Sequence, residues 1–111
     1  MKSKKNTATR KTIKEMTKRI VERFNPVKII LFGSYARGGA GFDSDVDLLV
    51  VMSVKGSKRK IRVDIRQALH DIHMPKDIVV TTPEEFEWRK EIVGTIERPA
   101  ALEGEVLYAR P

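Results

Sequence analysis

Residues 27–47 read Val27-Lys28-Ile29-Ile30-Leu31-Phe32-Gly33-Ser34-Tyr35-Ala36-Arg37-Gly38-Gly39-Ala40-Gly41-Phe42-Asp43-Ser44-Asp45-Val46-Asp47. The run up to Phe32 is β-branched and aromatic, short, and halted by Gly33, which predicts a strand delivering its end to a turn. Val46 to Met52 predicts a second strand, nearly all apolar and therefore central. Side chains alternate faces along a strand, so Asp45 and Asp47 share one face while Val46 points into the opposite layer. Two carboxylates on one face repel each other, a cost that a divalent cation reverses. A few hard oxygen ligands of this kind suit Mg²⁺, which keeps its remaining positions for water and substrate phosphates.

The turn complements the acids. Gly33 lets the chain bend sharply and bring its own N–H groups to an anion, and the Ser34 hydroxyl donates to a phosphate oxygen. Ala36 and Arg37 extend the turn into a short helical segment closed by Gly38 and Gly39, with its N–H groups facing the same anion. Gly-Ser or Asp-x-Asp alone is common. At average residue frequencies, their combination ten residues apart arises by chance in about one such chain per thousand.

The pattern Gly33-Ser34-x10-Asp45-x-Asp47, between Ile29-Ile30-Leu31-Phe32 and Leu48-Leu49-Val50-Val51, resembles the signature of the polymerase-beta-type nucleotidyltransferases. The short chain is most similar to the minimal nucleotidyltransferase family. The likeness runs in order from about residue 13 to 108, through Asp77-Ile78-Val79-Val80-Thr81 to Glu103-Gly104-Glu105-Val106-Leu107-Tyr108. It implies an α+β fold of the polymerase-beta nucleotidyltransferase type, with a small mixed sheet and helices packed on one face. It also implies roles. Gly33, Ser34 and Arg37 would hold the nucleotide; Asp45, Asp47 and Asp77 would be both catalytic and metal ligands. A two-metal Mg²⁺ site would serve ATP as substrate, with attack of a hydroxyl on the α-phosphorus, loss of pyrophosphate, and Asp77 taking the proton. Members of this family pair with a small helical HEPN-type protein in toxin–antitoxin systems, so the resemblance implies that partner as the acceptor of AMP. Two alternatives stay open: an antitoxin that neutralises a helical partner by contact without turnover, and a transferase acting on RNA or a small molecule.

Other residues have plainer readings. Arg37 pairs with Asp43 or another acid as readily as with phosphate, and Asp43 and Ser44 cap the entry to the second strand. His70 and His73 stand three apart with no further ligand in sight and read as satisfied or exposed. Trp88 reads first as core, with partner contact by it and the following apolar residues as the second reading.

Composition sets outer bounds. With 111 residues, 41% of them hydrophobic, the chain supports one domain with a modest core over 1–111. Cysteine is absent, which excludes a disulfide framework or thiolate metal site and fits the cytoplasm. No apolar run reaches membrane-spanning length. The net charge of +7 is uneven: residues 1–23 hold nine basic and two acidic residues, and residues 24–111 hold thirteen of each. That balance argues against a globally basic binding face, leaves nucleic acid as a disfavoured partner, and makes 1–8 a flexible basic tail. Ile13, Met16, Ile20 and Phe24 form one stripe of a helix over 9–24 that ends before Pro26. Ile61, Ile65, Ala68, Leu69 and Ile72 mark a crossover helix between the second and third strands, while the first two strands pair antiparallel. A helix starts at Pro83 and carries apolar spacing through Ile92, Val93 and Ile96. A short helix over 99–102 and an edge strand at 106–108 finish the chain.

Overall fold

The computed structural model describes the backbone of residues 2–38 and 45–111, with side chains from residue 9 onward within them. The order of elements is α1 (Lys2–Phe24), β1 (Lys28–Phe32), α2 (Ser34–Arg37), β2 (Val46–Val51), α3 (Lys58–Ala68), β3 (Lys76–Thr81), α4 (Pro83–Arg89), α5 (Glu97–Glu103) and β4 (Glu105–Ala109). Local chemistry accounts for most boundaries. α1 stops where Asn25 adopts φ 49° ahead of Pro26, the left-handed residue that commonly closes a helix. The Ser57 hydroxyl accepts from Lys60 N at the start of α3. Thr82 and Glu85 form a capping box at the start of α4, with Pro83 in the first turn. α1 begins seven residues before the predicted helix start at residue 9, so the backbone of 2–8 is helical where a flexible tail is expected, because no Pro or Gly interrupts it.

The four strands lie in the order β3-β2-β1-β4. β1 pairs antiparallel with both β2 and β4, whereas β2 and β3 run parallel through the α3 crossover. The sheet is therefore mixed, and the fold is α+β as the sequence predicts.

Its helices cover both faces, which corrects the expectation of one. Ile13, Met16 and Ile20 of α1 and Ile65 and Leu69 of the α3 region bury against Ile29, Leu31, Val46, Leu48, Val50, Ile78 and Val80. On the other face Phe86 of α4 and Ala100 of α5 pack on Ile30, Leu49 and Val51. The physical reason lies in β2, whose residues from Leu48 to Val51 are all buried. A strand that is apolar on both sides needs a layer on each. Gly104 seals the second layer, since a Cβ there would overlap Ala100 O and Ile30 Cγ2 and sit 3.0 Å from Leu31 O.

Candidate active site

Alternation along β2 puts Val46, Leu48 and Val50 into the α1/α3 core and turns Asp47 to the α4/α5 face. The parallel register sets Asp47 beside Asp77, while the antiparallel register sets it beside Phe32. Neighbouring strands stand about 4.8 Å apart, so Asp77 meets a residue thirty positions earlier in the chain. Asp45 lies two residues before Asp47, and it and Asp77 are exposed while Asp47 is half-buried. The three carboxylates act on one another electrically. Burial first, then the charges of Asp77 and Asp45, push the Asp47 carboxyl above its ordinary range, and the Arg37 guanidinium pulls it back.

The turn is built against these acids. Gly33 has φ 74° and ψ −154°, a conformation essentially confined to glycine. A Cβ on Gly33 would overlap Asp47 Oδ2 and lie 3.2 Å from its Cγ, so the backbone rests directly on the carboxylate. Ser34 opens α2; its hydroxyl has no hydrogen-bond partner among the described residues. Arg37 N donates to Gly33 O at 3.2 Å, and Gly38 at φ 78° ends the turn.

Arg37 pairs with Glu103 of α5 at 3.7 Å, both side chains more than half exposed. Its predicted alternative Asp43, with Ser44, lies outside the described residues. Glu103 is a neighbour that no local motif announces; it arrives because Gly104 lets α5 lie close on β1. His70 and His73 are exposed, with His70 Nδ1 2.9 Å from Gln67 O. A groove of about 560 Å³ between α1 and β4 is lined by none of the candidate residues.

Among the described residues, no group of three His, Cys, Asp or Glu side chains is already drawn together as a metal cage. The donor set nevertheless has the chemistry of a hard-cation site. Asp45, Asp47 and Asp77 supply only carboxylate oxygens, and the upward shift of Asp47 is the electrostatic strain that a cation would relieve.

Two exposed features depart from sequence expectation. Trp88 is 55% exposed and is not part of the core; the Arg89 guanidinium lies 5.7 Å from its ring centre. α4 stops at Arg89, so Ile92, Val93 and Ile96 lie in the α4–α5 connection, all exposed, and do not continue a helix. Gly94 at φ 96° belongs to that connection. Glu97 was not singled out by sequence, yet it is buried, accepts from Thr81 Oγ1 at 2.8 Å and from Arg89 Nε at 3.1 Å, and ties α5 to β3 and α4.

A parallel strand bearing one acid beside a strand bearing another, with a third just ahead of it and a Gly-Ser turn against them, defines a class. The chain belongs to the nucleotidyltransferase domain family, whose model matches residues 13–101. Among relatives, a Methanocaldococcus jannaschii protein assigned as a protein adenylyltransferase is 52% identical over 46 residues, covering 41% of this chain and 29% of that protein. The fold is similar to that of a Sulfolobus solfataricus protein assigned as a nucleotidyltransferase, with TM-score 0.66, 21% identity, and coverage of 95% of this chain and 84% of that one. It is also similar to a toxin–antitoxin structure with AMP-PNP, at TM-score 0.55, 18% identity and coverage of 87% and 73%. A mutant of the toxin–antitoxin MntA-HpeT gives TM-score 0.55, 16% identity and coverage of 86% and 72%.

Proposed function

We propose that this chain transfers AMP from ATP to a hydroxyl of a small helical protein of the HEPN type, acting as the antitoxin of a toxin–antitoxin pair. The observation that carries the reading is the Asp47–Asp77 register with Asp45 beside it and Gly33 laid against Asp47. The adenylyltransferase assignment of the archaeal relative and the toxin–antitoxin character of two structural neighbours support the acceptor and the partner.

Asp45, Asp47 and Asp77 would hold Mg²⁺, which when bound supplies positive charge to the attacking and leaving oxygens. The backbone at Gly33 and the Ser34 hydroxyl bind the triphosphate, and Arg37 leaves its weak surface pairing with Glu103 to meet a phosphate oxygen. The exposed Asp77 carboxylate accepts the proton of the acceptor hydroxyl. The hydroxyl oxygen bonds to the α-phosphorus as the bond to the bridging oxygen breaks, and pyrophosphate leaves with that electron pair. No covalent intermediate with the chain is required. Trp88, Ile92, Val93 and Ile96 offer the apolar surface on which a protein acceptor docks.

Incubation of the chain with the helical protein encoded beside it, Mg²⁺ and ATP labelled at the α-phosphate should label that partner. The signal should vanish with Asp45→Asn. Labelling that survives this substitution removes the carboxylates from the mechanism.

A further inference from the structure

Residues 24–111 are electrically balanced in sequence, yet the fold sorts their charges by layer. In the layer made by α1 and α3, residues 9–24 and 58–68 hold eleven basic and three acidic side chains; across the sheet, residues 83–103 hold three basic and six acidic. The count along the chain argues against a globally basic face, not against one basic layer. The balance is an average over two layers of opposite sign.

The basic layer also has periodicity. Lys11, Lys14 and Lys18 of α1 and Arg59, Arg62 and Arg66 of α3 each repeat at three and then four residues, and all six are exposed. On a helix this spacing gives one cation per turn, roughly every 5.4 Å along the axis. The α1 row lies opposite the buried stripe Ile13, Met16 and Ile20. The α3 row runs along the side toward β3, where Arg66 Nη2 reaches Lys76 O at 3.5 Å. None of the six forms an ion pair among the described residues, whereas Arg10, Arg19 and Lys58 of the same layer are engaged by Glu105, by Glu15 and Asp71, and by Glu85.

We propose that the α1/α3 layer binds the phosphate backbone of a nucleic-acid duplex. An acidic protein would seek an apolar centre within the basic rim. Among the described residues this layer offers two large exposed apolar residues on separate elements, Val63 on α3 and Val106 across the α1–β4 groove, whereas Trp88, Ile92, Val93, Ile96 and Leu102 all lie in the α4–α5 region. A single strand would seek exposed aromatic rings on which to stack its bases. Phe24, Tyr35 and Tyr108 are instead partly buried against the core, and Trp88 belongs to the other layer. What remains is regularly spaced positive charge, which reads phosphates and no sequence. The inference does not depend on the transfer reaction, since the carboxylates open on the opposite face of the sheet.

The test uses the full chain and fluorescently labelled RNA and DNA duplexes of equal length, followed by anisotropy across a salt series. If all six cations meet phosphates, the slope of log affinity against log salt is about −5, a loss of roughly 10³-fold between 50 and 200 mM. Lys11→Ala/Lys14→Ala/Lys18→Ala and Arg59→Ala/Arg62→Ala/Arg66→Ala should each halve the slope to about −2.7. Both remove only exposed side chains, and helical circular dichroism establishes that each variant is folded. Lys90→Ala in the other layer should leave binding unchanged. Failure of the wild type to bind at 50 mM salt, or slopes unmoved by both triple variants, would overturn the proposal. So would displacement of the duplex by polyglutamate as effectively as by unlabelled duplex, which would point to an acidic protein.

Discussion

Replacing Gly33 by alanine probes fold and site together. At φ 74° and ψ −154° an L-residue is strained, at a cost of roughly 1–3 kcal/mol. The added Cβ also overlaps Asp47 Oδ2, so the carboxylate must turn away or the backbone must shift. For 111 residues the unfolding entropy is about 0.23 kcal/mol per degree, so Tm should fall by about 4–13 °C. A displaced carboxylate should lower transfer by about a hundredfold, because misplacement of order 1 Å is enough to do so. Calorimetry of Gly33→Ala, Asp47→Ala and the double variant separates the two causes. The backbone cost persists without the carboxylate, whereas the overlap disappears, so Gly33→Ala should destabilise less in the Asp47→Ala background. A Tm drop below about 2 °C, with transfer intact, would refute the claim that glycine is required here.

Asp47→Asn should raise Tm at neutral pH while abolishing transfer. The folded carboxyl is shifted upward, so Asp47 favours folding only in its protonated form; that contribution is present below the unfolded pKa and is lost as pH rises through the folded one. Melts of both proteins from acid to neutral pH should therefore diverge as pH rises, with the variant ahead; parallel curves would contradict the shift. Glu97→Ala leaves the buried Thr81 hydroxyl without its acceptor, a loss of roughly 2 kcal/mol or about 9 °C that thermal melts would read, with Glu97→Gln recovering part of it. Arg37→Ala breaks only an exposed pairing, so stability should change by less than about 0.5 kcal/mol while KM for the nucleotide rises; an unchanged KM would leave Arg37 a surface residue.

Legibility in the sequence followed the range of the interactions. Strands β1, β2 and β3 and the α3 crossover were readable because short apolar runs, a Gly-Ser stop and a three-four apolar stripe are local signals. The alternation that turns Asp47 away from Val46 and Leu48 is equally local. The second helical layer was not read, although the unbroken apolar run Leu48 to Val51 implies it. Trp88 was misjudged because hydrophobicity alone does not tell a core ring from an exposed one, and α4 turns Phe86, not Trp88, to the sheet. Glu103 and Glu97 depend on the packing of α5, which no spacing encodes. Layer-by-layer charge was invisible for the same reason, since counting along the chain averages over faces that only the fold separates.

The central claim is that the β2–β3 register makes Asp77 part of the site begun by Asp45 and Asp47. Its most direct test is Asp77→Asn, assayed both for transfer from α-labelled ATP to the helical partner and for binding of a non-hydrolysable ATP analogue. Transfer should be lost while the analogue still binds, because in the proposed mechanism Asp77 accepts the acceptor's proton and the Gly33-Ser34 turn holds the triphosphate. Transfer within about twofold of wild type, less than 0.5 kcal/mol in barrier height, would contradict it.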